Sequence, residues 1–298
     1  MNVSLMVEQD KLLKDLCTFG IGGPARYFVE VKTVAQMQEV LHYCQLQKLP
    51  YFILGKGSNC LFDDRGFNGM VILNKIDFFH TPQPGVFHVG SGYSFSLLGT
   101  QTARQGWSGL EFASGIPGSV GGAVFMNAGA QGGETATYLS SVDFIPENGT
   151  PITLKKDDLL FSYRTSLFQK QPGAILGATF SLLPSPEARQ KQIELFSYRK
   201  ETQPYRAKSA GCIFRNPQGA AAGALIEKCG LKGQFVEGAQ VSEKHANFII
   251  NANESSAQNV LTLIALIQEQ VKKKMDVELE SEVRYIPYEA IINQQEDA

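Results

Sequence analysis

The chain has 298 residues, enough for two ordinary domains or one large one, so a sizeable core needs no disulfide support. Hydrophobic residues make up 43% and charged residues 19%, which excludes a chain disordered throughout. Lys and Arg total 27 against 29 Asp and Glu, a net charge of −2. With the positive residues scattered, this argues against duplex nucleic acid or an anionic membrane as partner and for a small-molecule substrate.

In chain order, Ala25 to Val31 alternates as a strand, and Thr33 can cap a helix to about Gln47 whose apolar residues Val34, Met37, Val40, Leu41 and Cys44 share one face. Tyr51 to Leu54, Met70 to Leu73, Val86 to Val89, Val142 to Ile145 and Ile175 to Leu182 read as strands, with a helix from Ser94 to Arg104 and a hairpin turn at Asn148-Gly149. Pro184-Ser-Pro186 marks a boundary, so the division falls into residues 1–185 and 186–298. Beyond it come a polar helix from about Glu187 to Glu201, strand Phe248 to Asn251, an amphipathic helix from about Ser256 to Met275, and strand Val277 to Ile286. The basic run Lys272 to Lys274 ends that amphipathic helix, where cations oppose the helix dipole. The alternation indicates an α+β fold.

Five cysteines, Cys17, Cys44, Cys60, Cys212 and Cys229, form an odd set with no C-x-x-C pair. Reduced thiols in the cytoplasm are expected, and no structural zinc. The start shows neither the basic region nor the apolar run of a signal peptide. Phe112 to Gly133 is uncharged for 22 residues, yet its seven glycines and one proline read as a backbone-lined loop, not a membrane helix. His42, His80 and His88 lie in helix or strand settings without evident acidic partners, and His245 lacks a second histidine at ligand spacing, so no metal site is expected. No G-x-S-x-G elbow points to a serine hydrolase.

Glycine is concentrated in residues 1–150, with 21 of the 29, which makes this the cofactor half. Gly20-Ile-Gly22-Gly23-Pro24-Ala25 mimics a dinucleotide fingerprint, but Pro24 opens a strand where that motif must open a helix. Gly55-Lys56-Gly57-Ser58-Asn59 follows an apolar strand and gathers backbone N–H groups suited to an anion, without Walker spacing. Gly115-Ile116-Pro117-Gly118-Ser119-Val120-Gly121-Gly122-Ala123, followed by Asn127-Ala128-Gly129, makes a second such surface, with Ser119 placed to cap the next turn. Two loops of this kind suit a diphosphate. Tyr163-Arg164, Cys212 and Glu282 are further candidates, although each alone also reads as a surface pair, a buried small hydrophobe or a solvated acid.

Together these segments resemble the UDP-N-acetylenolpyruvoylglucosamine reductase family. The likeness runs from about Thr18 to Ile286, through the TFxIGGPA-like opening, GKGSN, GIPGSVGGAVFMNAGA, SYRTS, AGCIFRNP and LESEVR in the family's order. It implies an FAD-binding domain of the vanillyl-alcohol-oxidase (PCMH) type in two subdomains and a C-terminal α+β substrate-binding domain. By the same resemblance FAD is expected at Gly55, Lys56, Gly57, Ser58, Asn59, Cys60 and Leu61 and at Gly115, Ile116, Pro117, Gly118, Ser119, Gly121, Gly122 and Ala123, with Asn127, Gly129 and Ile175 contributing. NADPH is the implied hydride donor. The implied reaction passes hydride from flavin N5 to the vinyl carbon of UDP-N-acetylglucosamine enolpyruvate, giving UDP-N-acetylmuramate for peptidoglycan.

Hydride addition pushes charge onto the substrate's α-carbon and carboxylate, which calls for enolate stabilisation and a proton. The family's residues for this match Arg164, Glu282 and Cys212. The guanidinium of Arg164 suits the developing charge, while Glu282 is either protonated or directs Arg164 and a water. Cys212 stands where the family more often has serine; an ordinary thiol, with a pKa of about 8.5, is a far stronger acid than an alcohol. Arg164 and Cys212 lie 48 positions apart, as in the family's shorter form without an inserted substrate loop. Asn216, Tyr163 and Lys208 are the candidates for the substrate diphosphate. No protein partner is implied. The alternatives are another FAD oxidoreductase of this fold and a non-catalytic nucleotide- or flavin-binding protein.

Overall fold

Alternation along Pro24–Val31 buries Ala25, Phe28, Val29 and Val31, and helix Val34–Leu46 follows at once, its start fixed by the Thr33 hydroxyl accepting from Gln36 N. The computed structural model describes residues 6–147 and 149–289. The first sheet runs Glu8–Leu12, Pro24–Val31, Phe67–Asn74, Tyr51–Leu54, with the first pair antiparallel and the others parallel.

A second, wholly antiparallel sheet runs Ile152–Lys155, Leu139–Pro146, Gly173–Ser181, Val86–Gly90, Phe79–Gln83. Phe87, Val142, Phe144 and Phe180 form a core with Leu98 and Val124 of helices Phe95–Arg104 and Val120–Phe125. Ile145, Ala174 and Leu176 instead join the cluster beneath helix Val34–Leu46. The two sheets therefore share a core, and the glycine loops emerge where they meet.

A third sheet runs Ser209–Cys212, Phe248–Asn251, Ala239–Val241, Phe235–Val236. Helix Ala257–Met275 lays Val260, Leu263, Ile264, Ile267 and Val271 into this region's core. Its N-terminus is tied to the first region by Asp64, whose carboxylate accepts from Ala257 N and Gln258 N at 2.7 and 3.2 Å. Helix Ala188–Thr202 packs on helix Phe95–Arg104. Among the described residues no helix is long and apolar enough to cross a membrane.

Two expectations change. The expected strand from Val277 to Ile286 forms a strand only over Arg284–Ile286, parallel to Cys60–Phe62, while its earlier part makes a single antiparallel bridge, Ser281 to Phe214, with Arg215 N donating to Glu280 O at 2.9 Å. Val283 and Leu279 are nonetheless buried, and Glu282 N donates to Ile213 O at 2.7 Å. His88 does have an acidic partner: its Nε2 lies 2.6 Å from Asp143 Oδ2. The two meet because the strand between them carries Gly177, whose missing side chain leaves the gap open. The hairpin joining Leu139–Pro146 to Ile152–Lys155 forms, while Asn148 lies outside the described residues.

Candidate active site

The loop after strand Tyr51–Leu54 turns through Gly57 at φ +59°, where any side chain would press on Leu16 O at 2.6 Å. Among the described residues, the backbone N–H groups of Lys56, Gly57, Ser58 and Asn59 donate to no protein acceptor. Such a consecutive row of free amides is an anion cradle. A side chain at Gly55 would collide with the Ser119 hydroxyl, so the two glycine loops touch.

The second loop differs in kind. Gly115 N donates to Ser96 Oγ, Ile116 N to Ala113 O, Gly118 N to Ile116 O, Gly121 N to Ser91 O and Gly122 N to Ser119 Oγ. Ser119 caps helix Val120–Phe125 as its position predicts, and its own N–H is the free one in that turn among the described residues. Most amides of this loop shape its backbone, leaving Ser119 to face the first loop. Between the sheets, Lys32, Lys56, Lys75, Asn74 and Tyr93 line a cleft of about 560 Å³ beside Gly55. Cys60 and Leu61 bury their side chains, as does Ile175, whose carbonyl accepts from Asn74 Nδ2 at 3.2 Å.

Arg164 sits at φ +55° in the tight turn Ser162–Thr165, closed by hydrogen bonds in both directions between the end residues. A non-glycine residue in this region needs support. Gln169 Nε2 supplies it by donating to Arg164 O at 2.9 Å, and Asn127 Nδ2 by donating to Ser162 O at 3.0 Å. Asn127 also bonds Glu134 and Ala136 N, so its carboxamide is fully committed to holding this turn. The Arg164 guanidinium then reaches Glu282 Oε1 through Nε at 2.8 Å and Gly129 O through Nη2 at 2.8 Å.

Glu282 belongs to the stretch just before the terminal strand and is held there by Asn59 Nδ2, which donates to its carbonyl at 3.2 Å. Burial pushes its carboxyl above the usual range against the opposing pull of Arg164 and Arg215. Cys212 ends strand Ser209–Cys212 within the charge field of Glu282, Arg164 and Arg199. Burial pushes its thiol up to about 12, and Glu282 adds to that rise. The thiol is thus a weaker acid than an ordinary one, and it carries its proton at neutral pH. Arg164, Glu282 and Cys212 are brought together, and neighbouring Gly211 approaches Ser58 O of the first loop.

Tyr163 and Asn216 also meet: Asn216 N donates to the Tyr163 hydroxyl at 3.2 Å. Lys208 instead lies along Gly20, where a side chain would come within 2.9 Å of its Cδ. Missed by the sequence reading were Gln169, Asn59 as a tether, Arg284, whose guanidinium stacks 4.6 Å from the Phe125 ring, and Arg199. Arg284 stands inside the LESEVR segment, which was signal enough. Arg199, in a polar helix with other cations, gave none.

Residues 25–155 match the family described as FAD binding domain, and residues 203–286 match the family described as UDP-N-acetylenolpyruvoylglucosamine reductase, C-terminal domain. With the two-sheet architecture and its glycine loops, these matches define an FAD-dependent oxidoreductase of mixed helix and strand, with an FAD-binding domain followed by a C-terminal reductase domain. Curated proteins named UDP-N-acetylenolpyruvoylglucosamine reductase include one from Protochlamydia amoebophila, 62% identical over 97% of this chain and 97% of that one, and one from Chlamydia trachomatis, 49% identical over 95% and 97%. A crystal structure of the Thermus caldophilus enzyme of that name aligns at a TM-score of 0.81 and 37% identity, covering 95% of this chain and all of the other. The chain belongs to the UDP-N-acetylenolpyruvoylglucosamine reductase family.

Proposed function

We propose that the chain reduces the enolpyruvyl ether of UDP-N-acetylglucosamine enolpyruvate to UDP-N-acetylmuramate, with FAD as bound cofactor and NADPH as reductant. The observation that carries this reading is the meeting of Arg164, Glu282 and Cys212 beside the row of free amides at Lys56 to Asn59.

The site fits FAD in its own terms. The free amides and Ser119 would hold a diphosphate, beside the cleft that has Lys32 and Lys75 on its rim. FAD, when bound, supplies the hydride, taken from NADPH, that adds to the vinyl carbon. The protein's own residues manage the charge and proton that follow. Arg164 presents its fork to the substrate carboxylate and the enolate growing from it, and Glu282 fixes the fork's direction. Cys212 keeps a proton in place for the α-carbon. Tyr163 and Asn216 receive the nucleotide diphosphate, with Lys208 as the more remote candidate.

Stopped-flow absorbance of the purified holoprotein tests the reading. NADPH is expected to bleach the bound flavin, and UDP-N-acetylglucosamine enolpyruvate to restore its colour in a second phase. Colourless protein, or bleaching without substrate-driven recovery, overturns it.

A further inference from the structure

A second guanidinium lies deep in the same region. Arg199 projects from the last turn of helix Ala188–Thr202 and is only 8% exposed. Its Nη2 donates to Phe112 O at 3.2 Å, and its Cδ fills the space beneath Gly115, 2.9 Å from where a Cβ would stand. Its Nε has no hydrogen-bond partner, and no carboxylate lies within ion-pair distance among the described residues.

A buried cation without a counter-ion is costly to keep. The ionisable groups that feel the charge of Arg199 are Cys212 and the half-exposed phenol of Tyr205. Cys212 in turn feels the charges of Glu282, Arg164 and Arg199. The two cations are not equivalent, because Arg164 is matched by Glu282 at 2.8 Å. Arg199, buried against Phe112 and Gly115 with its Nε unpartnered, is the unmatched positive charge whose field reaches the thiol.

We propose that Arg199 is a positioning residue that supplies the countercharge for Cys212 after its thiol has given up a proton. In that step the S–H bond breaks and a C–H bond forms at the α-carbon of the substrate enolate. The sulfur keeps the electron pair as thiolate until water reprotonates it. A thiolate stranded between Glu282 and low-dielectric walls would recapture its proton; the field of an unpaired guanidinium removes that penalty. The role in turnover rests on Cys212 being the donor, whereas the charge coupling itself does not.

Two measurements separate those claims. Iodoacetamide labelling of Cys212 in holoprotein, followed by peptide mass spectrometry across the alkaline range, reads the thiol's ionisation without substrate. Arg199→Gln, which retains a donor for Phe112 O but no charge, is expected to slow labelling about tenfold at each pH, and Arg199→Lys to restore most of the rate. Arg199→Met serves as the second neutral variant should the glutamine protein fail to retain flavin. An unchanged labelling rate in a flavin-retaining neutral variant overturns the proposal. In turnover, Arg199→Gln is expected to slow flavin reoxidation about tenfold with Cys212 present and to add no loss in a Cys212→Ala background. Equal losses in both backgrounds overturn it, and full reoxidation by Cys212→Ala alone removes the donor assignment instead.

Discussion

Glu282 and Arg164 form the one close ion pair of the site, and both side chains are mostly sheltered, at 14% and 19% exposure. Removing one charge of such a pair leaves the other buried and alone. Glu282→Gln is therefore expected to slow substrate-driven flavin reoxidation by about a hundredfold or more while reduction by NADPH persists, as two half-reaction traces would read. The pH dependence has a defined sign. Burial raises the Glu282 carboxyl, so on acidification it takes up its proton earlier than an ordinary carboxylate. The reoxidation rate should fall below a pH above the usual carboxylate range, and Glu282→Gln should abolish that limb. The motif residues themselves were readable, because SYRTS, AGCIFRNP and LESEVR stand in the order of the family they resemble, even though Cys212 replaces that family's commoner serine. Their acidities were not readable: the thiol's ordinary value moves to about 12 only through surroundings that other segments build.

Among the elements, the glycine loop after Tyr51–Leu54 was legible, since glycines directly following an apolar strand leave amides without ladder partners. Which loop keeps its amides free was not, because that depends on Ser91, Ser96 and Ala113 claiming those of the second loop. Gly55→Ala tests the contact between them. The added methyl would meet the Ser119 hydroxyl and push the loops apart, so FAD affinity should drop about tenfold or more in a titration of apoprotein, with the fold intact by circular dichroism. The amphipathic helices were legible from their apolar spacing, and Ala257–Met275 ends close to where that spacing stops. Short pairings escaped notice: Glu8–Leu12 is polar and mostly exposed, and Ser209–Cys212 is small and brief, so neither carries a two-residue period.

Across the whole molecule, a knot of polar contacts fastens the terminal strand to the first half. Asp63 accepts from Tyr285 Oη at 2.7 Å and from Arg65 N and its guanidinium, and these hold its carboxyl well below the usual range. Arg65 is 68% exposed, so solvent screens the share of its guanidinium. A depressed carboxyl stabilises the fold above its unfolded value of about 3.9 and loses that contribution as pH falls through the depressed value. Asp63→Asn is thus expected to cost about 2 kcal/mol in urea unfolding at neutral pH, with the gap to the parent narrowing in acid.

The parallel register of Arg284–Ile286 beside Cys60–Phe62 joins two stretches made more than two hundred residues apart. Glu282 takes its place only once that late stretch has returned to its partner. During synthesis, the early sheets and the amide cradle emerge well before the acid that aims Arg164. The cradle waits on the same event, since Asn59 is held by that stretch through Arg284 N and the Glu282 carbonyl, so cradle and acid are clasped together in one late step instead of by degrees.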